Sequence, residues 1–118
     1  MEELITLETA KLAKSKGFDW KVKHYFTLLY TGNGFGNGYN YNAEPNQASR
    51  PTQAVLQRWL REVHQIHIVV DHYKKGNYSA RLADAGDNSL SIELFGEVFE
   101  TYELALEAAL KESLNQLQ

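Results

Sequence analysis

The chain has 118 residues, 43% apolar, 23% charged and 12% aromatic, with a net charge of -3. That balance specifies a single domain able to hold a core without staples, and it excludes intrinsic disorder. The lack of cysteine excludes disulfides and thiolate metal sites. The acidic start MEELITLETAK has no signal-peptide run, and no stretch approaches the ~18 apolar residues of a membrane span, so the expected setting is cytoplasmic, with no membrane partner.

Charge is unevenly placed along the chain. Residues 11–24 carry five lysines and one aspartate, residues 50–81 carry six basic residues against Glu62 and Asp71, and residues 82–118 carry eight acids against Lys111. The plainest expectation is that the basic and acidic parts face each other.

The first element is a helix. Thr6 is placed to cap it, Glu8 sits in the first turn where the helix dipole favours an acid, and Gly17 is placed to stop it in a left-handed conformation. Leu7, Ala10 and Ala13 give a narrow apolar stripe, and Phe18 and Trp20 anchor the exit. Residues 21–30, KVKHYFTLLY, alternate as a strand. The stretch at about 31–48 follows, rich in glycine and asparagine. Asn33-Gly34 and Asn37-Gly38 are competing turn signals, so it is either a hairpin that pairs back on strand 21–30 or a mobile loop.

RPTQAVLQRWLREVHQ is a helix. Val55, Leu56, Trp59, Leu60 and Val63 make its apolar face, Pro51 fits its first turn, Ser49 or Arg50 caps it, and it ends near His64 and Gln65. Three strands come next: residues 66–74, a strand marked by Tyr78, Ala80 and Leu82, and one marked by Leu90, Ile92 and Leu94. Turns at 75–77 and 84–89 join them, and Gly96 bulges the last. A final helix over 101–117 is capped by Thr101. Tyr102, Ala105, Leu106, Ala109, Leu110, Leu114 and Leu117 form its apolar face, and Glu107 and Lys111 form an i,i+4 pair. The fold class is α+β, an antiparallel sheet with helices packed on one face, in the order α-β-(β)-α-β-β-β-α.

Three segments, ITLETAKLAKSKGFDW, RPTQAVLQRWLREVHQIHIVV and FETYELALEAALKESL, together resemble a family of small phage- and prophage-associated bacterial proteins. The central run is the most specific of the three, and residues 31–48 are not covered. The resemblance implies a phage-associated, cytoplasmic setting and carries over no activity and no catalytic residue.

Cofactor chemistry finds no footing. Gly32, Gly34, Gly36 and Gly38 alternate strictly, whereas a dinucleotide fingerprint needs two spacers before its last glycine and a P-loop needs a following lysine; none occurs between Lys23 and Lys74. His67 and His72 point to opposite faces of one strand, and His67 and Asp71 stand ~13 Å apart along it, so the histidines 24, 64, 67 and 72 are expected to hold no metal. Asp84 and Asp87 read as turn formers, and no Gly-x-Ser-x-Gly occurs. No catalytic residue and no cofactor are therefore expected, and the leading expectation is a non-enzymatic accessory protein that binds another protein. Phe35, Tyr39 and Tyr41 are the candidate contacts, because tyrosine among small polar residues suits adaptable interfaces. The alternative is a nucleic-acid-binding module using Arg50, Arg58, Arg61, Lys74, Lys75 and Arg81. The order α-β-β-β-α also occurs in double-stranded-RNA-binding domains, although the start of the last helix here is acidic. An open strand edge would further allow a homodimer.

Overall fold

A computed structural model describes residues 3–29, 32–74, 76–84, 91–93 and 98–117; at positions 73, 74, 84 and 91–93 it describes the backbone alone. The fold class is α+β with antiparallel strand pairing throughout. The helices are α1 (Leu7–Ser15), α2 (Gln53–His64) and α3 (Tyr102–Gln116). The strands are β1 (Val22–Thr27), β2 (Gly32–Tyr39), β3 (Gln47–Ser49), β4 (Ile66–Lys74), β5 (Asn77–Asp84) and β6 (Ser91–Glu93), with a short 3-10 turn at Tyr41–Ala43.

The helix signals explain the helix ends. The Thr6 hydroxyl accepts from the Thr9 amide, Gly17 takes φ +90°, and the Thr101 hydroxyl accepts from the Leu104 amide. The start of α2 differs from expectation. Its cap is Thr52, whose hydroxyl accepts from the Val55 amide. Ser49 is unavailable because β3 pairs it with Tyr25, and Pro51 lies ahead of the first turn, its carbonyl accepting from the Ile5 amide. Gln65 ends the helix at φ 56°. Leu56, Trp59 and Leu60 are buried, but Val63 is 49% exposed, so the buried face stops short of the apolar periodicity.

The strands form two three-stranded sheets, β2-β1-β3 and β4-β5-β6, where a single sheet was expected. Strand β3 takes the second edge of β1 and β4 pairs with β5, so no strand pair joins the two sheets among the described residues. Strand β1 ends at Thr27, three residues early, because Leu28 and Leu29 already turn the chain and the Leu28 amide donates to the Asn46 carbonyl. In the second sheet, Ile68, Leu82 and Ile92 stand in register; Ile68, Ala80 and Leu82 are buried. Lys75, most of the turn at 84–89, Leu90, Leu94 and the expected bulge at Gly96 lie outside the described residues.

One apolar cluster joins both sheets and all three helices, from Ile5, Ala10 and Phe18 through Phe26, Ala48 and Trp59 to Leu82, Leu110 and Leu114. The long chain-crossing contacts gather on α3. The Glu107 carboxylate accepts from the Thr6 amide and hydroxyl and from the Gln53 side chain, Lys111 pairs with Glu8 at 2.9 Å, and the Lys16 ammonium donates to the Leu117 carbonyl. The expected pair between Glu107 and Lys111 is therefore replaced by two partners on and around α1. Among the described residues, no helix is long and apolar enough to cross a membrane.

Candidate partner-binding strand and basic cleft

The glycine-rich stretch is ordered as a hairpin with β1 followed by a return strand on its other side. Register runs His24↔Phe35, Tyr25↔Gly34, Phe26↔Asn33 and Thr27↔Gly32, with a bulge before Val22↔Tyr39. Neither Asn33-Gly34 nor Asn37-Gly38 makes a turn; both lie inside β2. Alternation puts the glycines on one face of the strand. Two rings occupy the space that side chains would fill there. A Cβ on Gly34 would overlap the Tyr25 ring, and one on Gly36 would sit 2.6 Å from the Tyr41 hydroxyl. The rings of Tyr25 and Tyr41 lie 4.5 Å apart, and the Tyr41 hydroxyl donates to the Asn37 carbonyl at 2.8 Å. At Gly34 and Gly36, glycine is thus the requirement of a strand with tyrosines laid across it, not of a phosphate loop.

Ahead of the bulge, Asn33 and Phe35 point the other way, and beyond it the Tyr39 ring meets the Tyr41 ring edge-on at 5.3 Å. Asn33, Phe35, Asn37 and Tyr39 are all exposed, Phe35 at 66% and Tyr39 at 45%. Of the three candidate contact residues, Phe35 and Tyr39 are exposed, and Tyr41 is buried at 8% exposure, its ring packed against Tyr25 and its hydroxyl against Gly36. Strand β2 is also an edge: it pairs with β1 on one side, and among the described residues nothing pairs with the other. The return path is fixed by Asn42. Its side chain accepts from the Ser49 amide at 2.7 Å and donates to the Phe18 carbonyl at 2.8 Å.

Of the six basic candidates, Lys75 lies outside the described residues and the others are dispersed. Arg58 and Arg61 lie exposed on α2, with Arg58 paired to Glu62 and set over the Trp20 ring. Arg81 stands on β5 opposite Val69, alternating with the buried Ala80 and Leu82 and so on the face turned from the core. Its Nε lies 3.3 Å from Asp71 Oδ2, close enough for an ion pair but not aligned for a hydrogen bond. Lys74 ends β4. Arg50 follows β3 and sits elsewhere, half-buried, with its guanidinium 4.6 Å above the Phe26 ring and its Nε donating to the Ile5 carbonyl.

Arg50 has different company. It lines a cleft of about 210 Å³ with Lys21, Lys23 and His24, over apolar walls that include Val22 and Val55. From the sequence, Lys21 and Lys23 are not singled out as site residues, and His24 is weighed only as a metal ligand. Their signal was the lysine surplus at 11–24, which alternation on a strand partly conceals. The His24 ring meets the Phe35 ring edge-on at 4.7 Å, so the cleft adjoins the displayed side of β2.

A second groove, of about 530 Å³, runs past Leu7, Lys11, Phe26 and Leu29. Among the described residues, no group of three or more His, Asp or Glu side chains is arranged to hold a metal. His64 packs edge-on against Trp59, and His72 stacks on Tyr78 at 4.4 Å.

Comparison with protein-family models, curated proteins and solved structures finds no match.

Proposed function

We propose that this chain is a non-enzymatic accessory protein that works by binding another protein, and that β2 is the strand it offers. One observation carries the reading: an eight-residue edge strand without charge or proline, displaying Phe35 and Tyr39. Natural edges are normally blunted by charge, proline or a cover, because an open row of N–H and C=O groups recruits another strand. Recognition by strand addition uses that row for affinity and alternate side chains for specificity. The glycine face supports the same reading, because Tyr25 and Tyr41 pack on the strand at Gly34 and Gly36 and leave its outer backbone edge unpaired among the described residues. The occupant is an extended segment of a partner protein. A phage-type setting for that partnership is carried only by the resemblance of the three quoted segments. The nucleic-acid reading needs a continuous basic face, and pairing of Arg58 and Arg81 with acids on separate surfaces does not favour it.

The test is selection from a library of random displayed peptides, followed by hydrogen exchange. Selected peptides should slow exchange of amides in 32–39 and leave α3 unchanged, and a Phe35→Ala, Tyr39→Ala double variant should bind them about tenfold more weakly. Peptides that bind without protecting β2 would remove the reading. Protection that grows with protein concentration alone would put a second copy on the edge instead.

A further inference from the structure

We propose that the cleft between β1 and the start of α2 is an anion site, taking a carboxylate or phosphate carried on a short apolar stem. The proposal does not rest on the strand-addition reading.

The first support is what the other cations do. Arg58, Arg81 and Lys111 each pair with a carboxylate, and Lys14 and Lys16 donate to backbone carbonyls. Among the described residues, no carboxylate pairs with Lys21, Lys23 or Arg50, and none lines the cleft. Three basic side chains thus line one small cavity that has no carboxylate among its lining residues. A cleft lined by one sign of charge raises the local concentration of anions.

The second support is that Arg50 is already oriented. The Ile5 carbonyl takes its Nε hydrogen at 3.0 Å and the Phe26 ring lies against its plane. A guanidinium fixed in this way loses little freedom on binding, and its remaining N–H groups match the paired oxygens of a carboxylate or phosphate. Lys21 and Lys23 are exposed at the mouth, where flexible ammonium groups can follow the anion.

Size and lining set the ligand class. At about 210 Å³ the cavity falls below the ~300–1,000 Å³ of ordinary small-molecule sites, so it suits a group of side-chain size rather than a nucleotide. Leu4, Val22, Pro51 and Val55 provide apolar wall, which an inorganic ion would leave unused. An acidic or phosphorylated side chain of a partner fits both properties.

The experiment is an amide-resolved NMR titration of the whole chain at low salt with four probes: phenyl phosphate, benzoate, inorganic phosphate and benzyl alcohol. Phenyl phosphate or benzoate should give saturable shifts confined to residues 21–24 and 50–55. Either should bind at least about tenfold more tightly than inorganic phosphate or benzyl alcohol. Whichever aryl anion binds better identifies the group as phosphate or carboxylate. The exposed pair Lys21→Glu, Lys23→Glu should lower that affinity about tenfold or more, whereas Lys11→Glu, Arg61→Glu, the same charge change elsewhere, should not. The proposal is overturned by equal binding of benzyl alcohol, by inorganic phosphate binding as well as the aryl anions (an adventitious ion only), by equal loss in both variant pairs, or by no localised shifts.

Discussion

Gly34 and Gly38 occupy the same strand and the same alternation, yet they face different surroundings. The Tyr25 ring fills the place of a Gly34 side chain, while nothing lies within 4 Å of a Cβ at Gly38. Tyr25 cannot simply swing aside, because the Tyr41 ring lies 4.5 Å from it and Tyr41 is itself tied to the Asn37 carbonyl. Gly34→Ala should therefore destabilise the protein by about 1–3 kcal/mol. Gly38→Ala should stay within about 0.5 kcal/mol of the parent, or gain slightly from a less flexible unfolded chain. Urea midpoints of the two variants, measured side by side, check this. A second residue-level expectation concerns Asn42. Replacing it with alanine strips partners from the Ser49 amide and the Phe18 carbonyl, and Ser49 is fully buried. The loss should reach about 2 kcal/mol or more, because each unmade buried hydrogen bond costs the full desolvation of the group left behind.

Elements divide by how locally their causes act. The caps Thr6 and Thr101 and the stop at Gly17 were legible because a cap is a matter of one side chain and the next three amides. Thr101→Ala should cost about 1 kcal/mol and speed amide exchange in the first turn of α3, which NMR exchange rates would register. The cap of α2 was misplaced by two or three positions, since Ser49 is an equally good capping residue until β3 claims it. That strand is the element the sequence concealed. Three residues cannot display a period, and what makes Gln47–Ser49 a strand is Asn42 and the free edge of β1. The division into two sheets was illegible too, because which strand edges pair is a matter of tertiary packing rather than of local pattern. Phe35 and Tyr39 stood out from the sequence as contact candidates. Tyr41, identical in local composition, is buried because its ring is needed over Gly36.

At the scale of the whole molecule, the core is continuous and the charge is not balanced across it. Leu110 is fully buried in the cluster shared by all three helices, so Leu110→Ala should cost about 2–5 kcal/mol, while Val63→Ala, at a half-exposed position, should cost under about 0.5 kcal/mol. Thermal or chemical melts give both numbers. The expected meeting of basic and acidic regions takes a different form: the described ion pairs join Arg58 to Glu62, Arg81 to Asp71 and Lys111 to Glu8, and none involves a lysine of 11–24. Those lysines bind carbonyls or face solvent, which is why a basic cleft survives in an acidic protein.

The contacts along α1 follow one order on α3: Thr6 with Glu107, Glu8 with Lys111, Lys16 with Leu117. The first and last of these span 101 residues. A nine-residue helix is too short to persist alone in water. During synthesis, α1 therefore has the Lys14 contacts to the Glu44 and Gln47 carbonyls first, and its braces on α3 come only with much later residues. The first helix is thus completed only with the third, and until then the side it turns to α3 is open to whatever holds nascent chains.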